Sequence, residues 1–140
     1  MSKVISLRPS VIKDDRGAVY KIMAAALPEQ ALNIAEAYYS EVKYGVIKGW
    51  KQHTRMTMNL SAASGLIHIA TFDPETNEAI GFDLSLKDHQ VISIKPGIWV
   101  AFRGDGENNL LLNLASIPHD PQESLSLSIS SIEYNWPALS

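Results

Sequence analysis

The chain has 140 residues, 46% of them apolar, a formal net charge of -3 and no cysteine. That length and apolar content suit one core in one soluble domain, while an acidic balance with scattered Lys and Arg gives no basic field for a phosphate backbone, so nucleic acid is not expected as a partner. A disulfide framework and a thiolate metal site are excluded, no apolar run approaches the roughly 20 residues needed to cross a bilayer, and Met1 to Arg8 lacks the apolar region of a secretory signal, so a cytoplasmic protein without a membrane partner is expected.

In chain order, Arg16 to Met23 alternates after an Asp14-Asp15 turn and is expected as an early strand. Leu27 to Ala37 holds the one helical pattern, with Pro28 suited to a first turn and Ala, Glu, Gln and Leu of high propensity. Glu36 to Val42 then reads as a strand, and Tyr44 to His53 as another. Thr54 to Leu60 and Gly65 to Phe72 flank a turn at Ala62 to Gly65, and Asp73-Pro74-Glu75-Thr76-Asn77 is a turn by composition. Ile80 to Leu86, Gln90 to Ile94, Gly97 to Arg103 and Leu110 to Ala115 continue the series. Strands so spaced, with little helix between them, predict an all-β double-sheet jelly roll over a parallel α/β fold. The tail after Glu123 is Ser-rich but keeps Leu125, Leu127, Ile129 and Ile132 as apolar anchors, and it is expected to pack on the barrel. No repeat or linker divides residues 1–140, which are expected to form a single domain.

Four segments share an order and spacing that carry more weight than any one of them. They are Asp14-Asp15-Arg16-Gly17; Tyr38-Tyr39-Ser40 with Gly45-Val46-Ile47-Lys48-Gly49-Trp50; Ile94-Lys95-Pro96-Gly97-Ile98-Trp99; and Ile117-Pro118-His119-Asp120-Pro121-Gln122-Glu123 with Tyr134-Asn135-Trp136. In these the chain resembles the short cupin-type dTDP-4-dehydrorhamnose 3,5-epimerases over most of its length. The resemblance implies a cupin-type double-stranded β-helix, a homodimer, and a pocket in the barrel for a nucleotide-linked 4-keto-deoxysugar used in polysaccharide biosynthesis, with no cofactor. It also implies proton abstraction beside a ketone, reprotonation from the opposite face and stabilisation of the enolate between.

The chain departs from that family where its chemistry is done. Lys51 stands where the family has its basic histidine, the supporting aspartate falls near Ser131, no tyrosine occupies Leu110 to Asn113, and Pro96-Gly97-Ile98-Trp99 is followed by Val100 in place of a histidine. Lys51 and His53 are the candidate catalytic residues, since positions two apart on a strand share a face. Two roles are open to Lys51: a base or Schiff-base amine, or an ordinary cation that is solvated or meets a phosphate. Lys51-Gln52-His53 with Val100 supplies too few imidazoles for the iron, manganese or nickel of metal cupins, so no metal is expected.

Candidate substrate-binding residues follow from shape and charge. Arg16 has the planar fork for a diphosphate, and Lys48 adds a point charge. Tyr38, Tyr39, Trp50 and Trp99 offer stacking faces, with core packing as the competing role. Arg103 is suited to a phosphate or to pairing with Asp105 on the surface, Asn113 can donate and accept within the barrel, and Glu36 can partner Lys51. His68 is core or surface, His89 sits in a polar turn, and His119 braces a loop with Asp120. The expected function is therefore a metal-independent epimerase or isomerase with non-standard catalytic residues. A catalytically silent sugar-nucleotide-binding cupin is the alternative, and a metal-dependent cupin enzyme is the third reading.

Overall fold

The computed structural model of the chain describes residues 2–22 and 34–139. Among them the strands are β1 (Val4–Leu7), β2 (Val11–Asp14), β3 (Gly17–Tyr20), β4 (Glu36–Val42), β5 (Ile47–His53) and β6 (Met58–Ser64). They continue with β7 (Ile67–Asp73), β8 (Glu78–Leu84), β9 (Val91–Ile94), β10 (Trp99–Gly104), β11 (Asn109–Ala115) and β12 (Ser124–Ser126), followed by a 3-10 turn at Ile129–Ser131. The expected all-β character is therefore observed. The helical pattern at Leu27 to Ala37 lies mostly outside the described residues, and its last positions, Glu36 and Ala37, open β4.

Two five-stranded antiparallel sheets face each other, in the orders β1-β9-β6-β11-β4 and β12-β5-β10-β7-β8, and β2 and β3 form a separate hairpin. This is the cupin jelly roll, in which each strand lends alternate residues to the space between the sheets. On β10, Val100 and Phe102 join that interior with Leu60 and Leu111 of the first sheet and Ile67 and Ile69 of the second. Burying side chains of this size contributes roughly 1.5–3 kcal/mol each.

The intervening β10 residues face the other way. Ala101 packs with Trp50 and Ala70 in a second apolar cluster, and Trp99, Ile129, Ile132, Tyr134 and Trp136 cover it. Since the first cluster fills the space between the sheets, this second one lies on the outer face of the second sheet. The C-terminal tail thus packs on the barrel, as its apolar anchors predict, through Ile129 and Ile132, whereas Leu125 and Leu127 remain exposed.

Candidate functional site

A cavity of about 460 Å³ opens between the sheets. The first sheet contributes Glu36, Tyr38 and Ser40 from β4, Met58 and Leu60 from β6, and Leu111 and Asn113 from β11. Across from them stand Lys48, Gly49, Lys51 and His53 from β5 and Val100 and Phe102 from β10, while His119 enters from the loop before β12. Six of the eleven residues marked by the sequence therefore meet in one place: Lys51, His53, Glu36, Tyr38, Lys48 and Asn113.

Strict alternation would set Lys48 and Lys51 on opposite faces of β5. The pairing shows why both reach the cavity. Val100 pairs with Lys51 and Phe102 with Lys48, so Gly49 and Trp50 together oppose Ala101 alone. This extra residue is a β-bulge, and it re-aims the side chains on either side of it. Gly49 is required there. Its φ is 137°, and a Cβ would lie 2.6 Å from Ala101 Cβ and 2.8 Å from the Val100 carbonyl. Trp50, on the other side of the bulge, turns outward into the second cluster.

His53 is held by a carboxylate that sequence reasoning did not connect to it. Its Nδ1 hydrogen-bonds Glu123 Oε1, and the two side chains are 11% and 2% exposed. The other carboxylate oxygen accepts from the backbone N–H groups of Thr54 (3.1 Å), Arg55 (3.1 Å) and Met56 (3.3 Å). Burial pushes the Glu123 carboxyl up, but the His53 hydrogen bond, the Arg55 and Met56 amides and the His53 charge outweigh it, and the net shift is below the ordinary value. A carboxylate on Nδ1 sets the ring tautomer and leaves Nε2 as the nitrogen able to take a proton. The resemblance placed a carboxylate near Ser131; the carboxylate that the fold brings to the cavity strand is Glu123, and it bonds His53. Ser131 is exposed in the 3-10 turn.

A phenol stands on the facing sheet. Asn113 of β11 is aligned with Tyr38 of β4. The Asn113 carbonyl accepts from Asn59 N–H at 3.3 Å, and its amide then donates to the Tyr38 hydroxyl at 2.9 Å. With its oxygen engaged as acceptor, the Tyr38 O–H hydrogen is left for another partner. No tyrosine lies in Leu110 to Asn113, but the Tyr38 phenol stands one strand over, bonded to Asn113.

The cations differ in their partners. Lys48 Nζ donates to the Glu41 carbonyl at 2.5 Å. The Lys51 side chain has no hydrogen bond or ion pair among the described residues. Glu36 does not partner Lys51; its carboxylate accepts from His119 N–H at 3.2 Å. His119, expected only to brace a loop, also lines the cavity.

Five marked residues lie elsewhere. Arg16 sits beyond the β2 end of the hairpin, its side chain 86% exposed and paired with Asp14 at 2.7 Å. Trp50 and Trp99 belong to the outer cluster, where core packing is their role. Arg103 does pair with Asp105 (2.6 and 3.1 Å), but the pair is buried rather than on the surface, with the guanidinium 5.5 Å from the Trp136 ring centroid. Alternation along β10 explains Trp99 and Arg103, which share the outward face of Ala101. Tyr39 is 63% exposed and alternates with Tyr38 away from the cavity.

The remaining histidines also have settled positions. His89 is buried, with Nε2 donating to the Lys21 carbonyl at 2.7 Å and its ring edge-on to Tyr20, so it is no exposed turn residue. His68 is buried between Asp83 and Tyr134. Among the described residues, no three His, Cys, Asp or Glu side chains gather as metal ligands, and no helix is long and apolar enough to cross a membrane.

No protein-family model and no curated protein matches the chain, but solved structures do. A dTDP sugar isomerase from Desulfovibrio desulfuricans G20 is 25% identical, with 97% of this chain and 93% of that one covered and a TM-score of 0.88. The sugar 3,4-ketoisomerase QdtA from Thermoanaerobacterium thermosaccharolyticum, solved with TDP, is 22% identical over 88% of this chain and 87% of its own, with a TM-score of 0.77. ChmJ, a 3'-monoepimerase from Streptomyces bikiniensis solved with dTDP-quinovose, is 15% identical over 96% and 75%, with a TM-score of 0.87.

Proposed function

Starting from a chain that carries the cupin jelly roll of the dTDP-sugar epimerases and isomerases, we propose that it isomerises or epimerises a nucleotide-linked 4-keto-deoxysugar without a metal. The observation that carries this reading is the His53–Glu123 pair opening on the cavity. His53 Nε2 removes a proton from a carbon beside the ketone, and Glu123 steadies the imidazolium so formed. The enolate oxygen takes its charge stabilisation from Lys51, a cation with no competing partner among the described residues. Tyr38, on the facing sheet, returns a proton from the other side of the ring; its phenolate is then reprotonated from solvent while the His53 imidazolium gives its proton to solvent. In this reading Lys51 is the enolate's cation, not the base. Lys48 meets the diphosphate, and Asn113 and Glu36 orient Tyr38 and the His119 loop.

The whole chain acts as one domain, built on the continuous core between its sheets. We place it in the cytoplasm as a homodimer, in a route that builds polysaccharide from activated deoxysugars. Exposed Ile12, Val19 and Tyr39 leave apolar surface for a second copy.

A binding-only cupin is the competing reading, favoured by the lysine at position 51: two cavity cations suit an anionic ligand without any proton transfer. Incubation with a dTDP-4-keto-6-deoxyhexose in deuterated water separates the two. Deuterium entering the carbons that flank the ketone supports catalysis. Calorimetric binding without exchange supports the silent protein, and neither binding nor exchange overturns both.

A further inference from the structure

Glu123 is the first residue of a strap that continues past the cavity and over the outer face of the second sheet. The strap begins as β12, which pairs only with β5: Ser124 with His53, Leu125 with Gln52 and Ser126 with Lys51. Leu127 then exchanges both backbone hydrogen bonds with Trp50 at 3.0 Å, and the Trp50 indole N–H donates to the Ile129 carbonyl at 3.1 Å. From Ser124 to Leu127 the strap's backbone pairing is thus made to the strand that carries Lys51 and His53.

The far end is tied down differently. Tyr134 donates its hydroxyl to His68 Nε2 at 2.6 Å, and His68 Nδ1–H donates to Asp83 at 2.7 Å. Burial, then the Asp83 charge, push the Tyr134 phenol up, against an opposing pull from Arg103, which keeps it a donor. Trp136 stacks edge-on to Tyr134 with centroids 4.9 Å apart and lies under Arg103. Gly81 on β8 makes room for this knot. A Cβ there would come within 2.9 Å of His68 Nε2 and nearer still to the Tyr134 hydroxyl.

Glu123 at the start of the strap is held by Thr54, whose N–H and hydroxyl both donate to its carbonyl, and by the Thr54, Arg55 and Met56 amides on its carboxylate, and the three-residue edge strand adds to this hold. Ordering a strap of about a dozen residues costs roughly 1–2 kcal/mol per residue in backbone freedom, so the aromatic knot at the end shares in keeping the beginning in place. We propose that Tyr134 is a positioning residue, whose anchor on His68 holds the strap taut along β5 and thereby sets Glu123 against His53. That this pair performs proton transfer rests on the function proposed above; the mechanical coupling does not.

The test is therefore made on the full-length, ligand-free protein. Imidazole 15N and 1H signals of His53 and His68 are followed by NMR across a pH titration in wild type, Tyr134→Phe and Gly81→Ala. Tyr134→Phe removes only the hydroxyl, and Gly81→Ala displaces the same hydroxyl from a strand that does not border the cavity. The expected result is that both variants move the His68 signals and also shift the His53 signals. If His68 moves in a folded variant while His53 overlays wild type, the anchor is local and the proposal is overturned. If Tyr134→Phe fails to fold, Gly81→Ala decides by the same comparison. Deuterium exchange on the keto sugar, run in parallel, bears on the proposed reaction alone.

Discussion

Glu123→Gln isolates the charge at the centre of the candidate site with almost no change in shape. The glutamine oxygen can still accept from the Thr54, Arg55 and Met56 amides that now reach Oε2 at 3.1 to 3.3 Å, so the loop after β5 keeps its support. What changes is the face toward His53. An amide NH₂ there needs an acceptor, so Nδ1 must give up its proton and Nε2 must carry it, which removes the base from the cavity. General-base catalysis is typically worth 10²–10⁴ in rate, and we expect kcat to fall by about that factor with KM little changed. Stability should drop by roughly 1.5–3 kcal/mol, the size of one hydrogen bond to a charged group. Glu123→Ala adds the loss of the three amide contacts inside a buried site, so its cost should reach about 3–5 kcal/mol. Urea titration gives the stabilities, and steady-state turnover of the keto sugar nucleotide gives the rates. A Gln variant that is folded and turns over within about threefold of wild type would refute the assignment of His53 as base.

The pH dependence of stability has a definite sign. Glu123 is held below the ordinary glutamate value of 4.5, so the folded state binds fewer protons than the unfolded state in that range. Its contribution is complete above pH 4.5 and is lost as pH falls through the lower folded value. Urea midpoints measured from pH 6 down to pH 3 should decline more steeply in wild type than in Glu123→Gln. Tyr38→Phe keeps the ring but deletes the proton donor. It should leave removal of the substrate proton, read as loss of label from a deuterated substrate, far less affected than product formation, which should fall about 10²-fold or more. Gly49→Ala forces a Cβ against Ala101 and the Val100 backbone at a φ of 137°. The combined overpacking and strain should cost roughly 2–5 kcal/mol, seen as a large drop in Tm or in soluble yield.

The β architecture was legible because alternation and turn chemistry are local. Asp73 to Asn77 closes the β7–β8 hairpin where its composition predicts, and Leu110 to Ala115 falls within β11. Residue pairs along one strand were legible for the same reason. Lys51 and His53 share the cavity face because a strand has period two. Lys48 joins them only because the bulge opposite Ala101 breaks that period, and nothing in Ile47-Lys48-Gly49-Trp50 marks the extra residue except the glycine.

Strand composition does not say which side of a sheet is the cavity side. Trp50, Trp99 and Arg103 look like ligand contacts by chemistry, yet the alternation of β10 and the bulge in β5 send them under the C-terminal strap. Partners far apart in the chain were equally out of reach. Glu123 meets His53 across 70 positions and Tyr38 meets Asn113 across 75, contacts decided by which strands the sheets bring side by side. The sequence by itself determined a β jelly roll whose fifth strand carries a lysine and a histidine on one face. Tertiary structure alone decided that the histidine has a buried carboxylate and that a phenol stands opposite it, because each depends on long-range strand order rather than on local period.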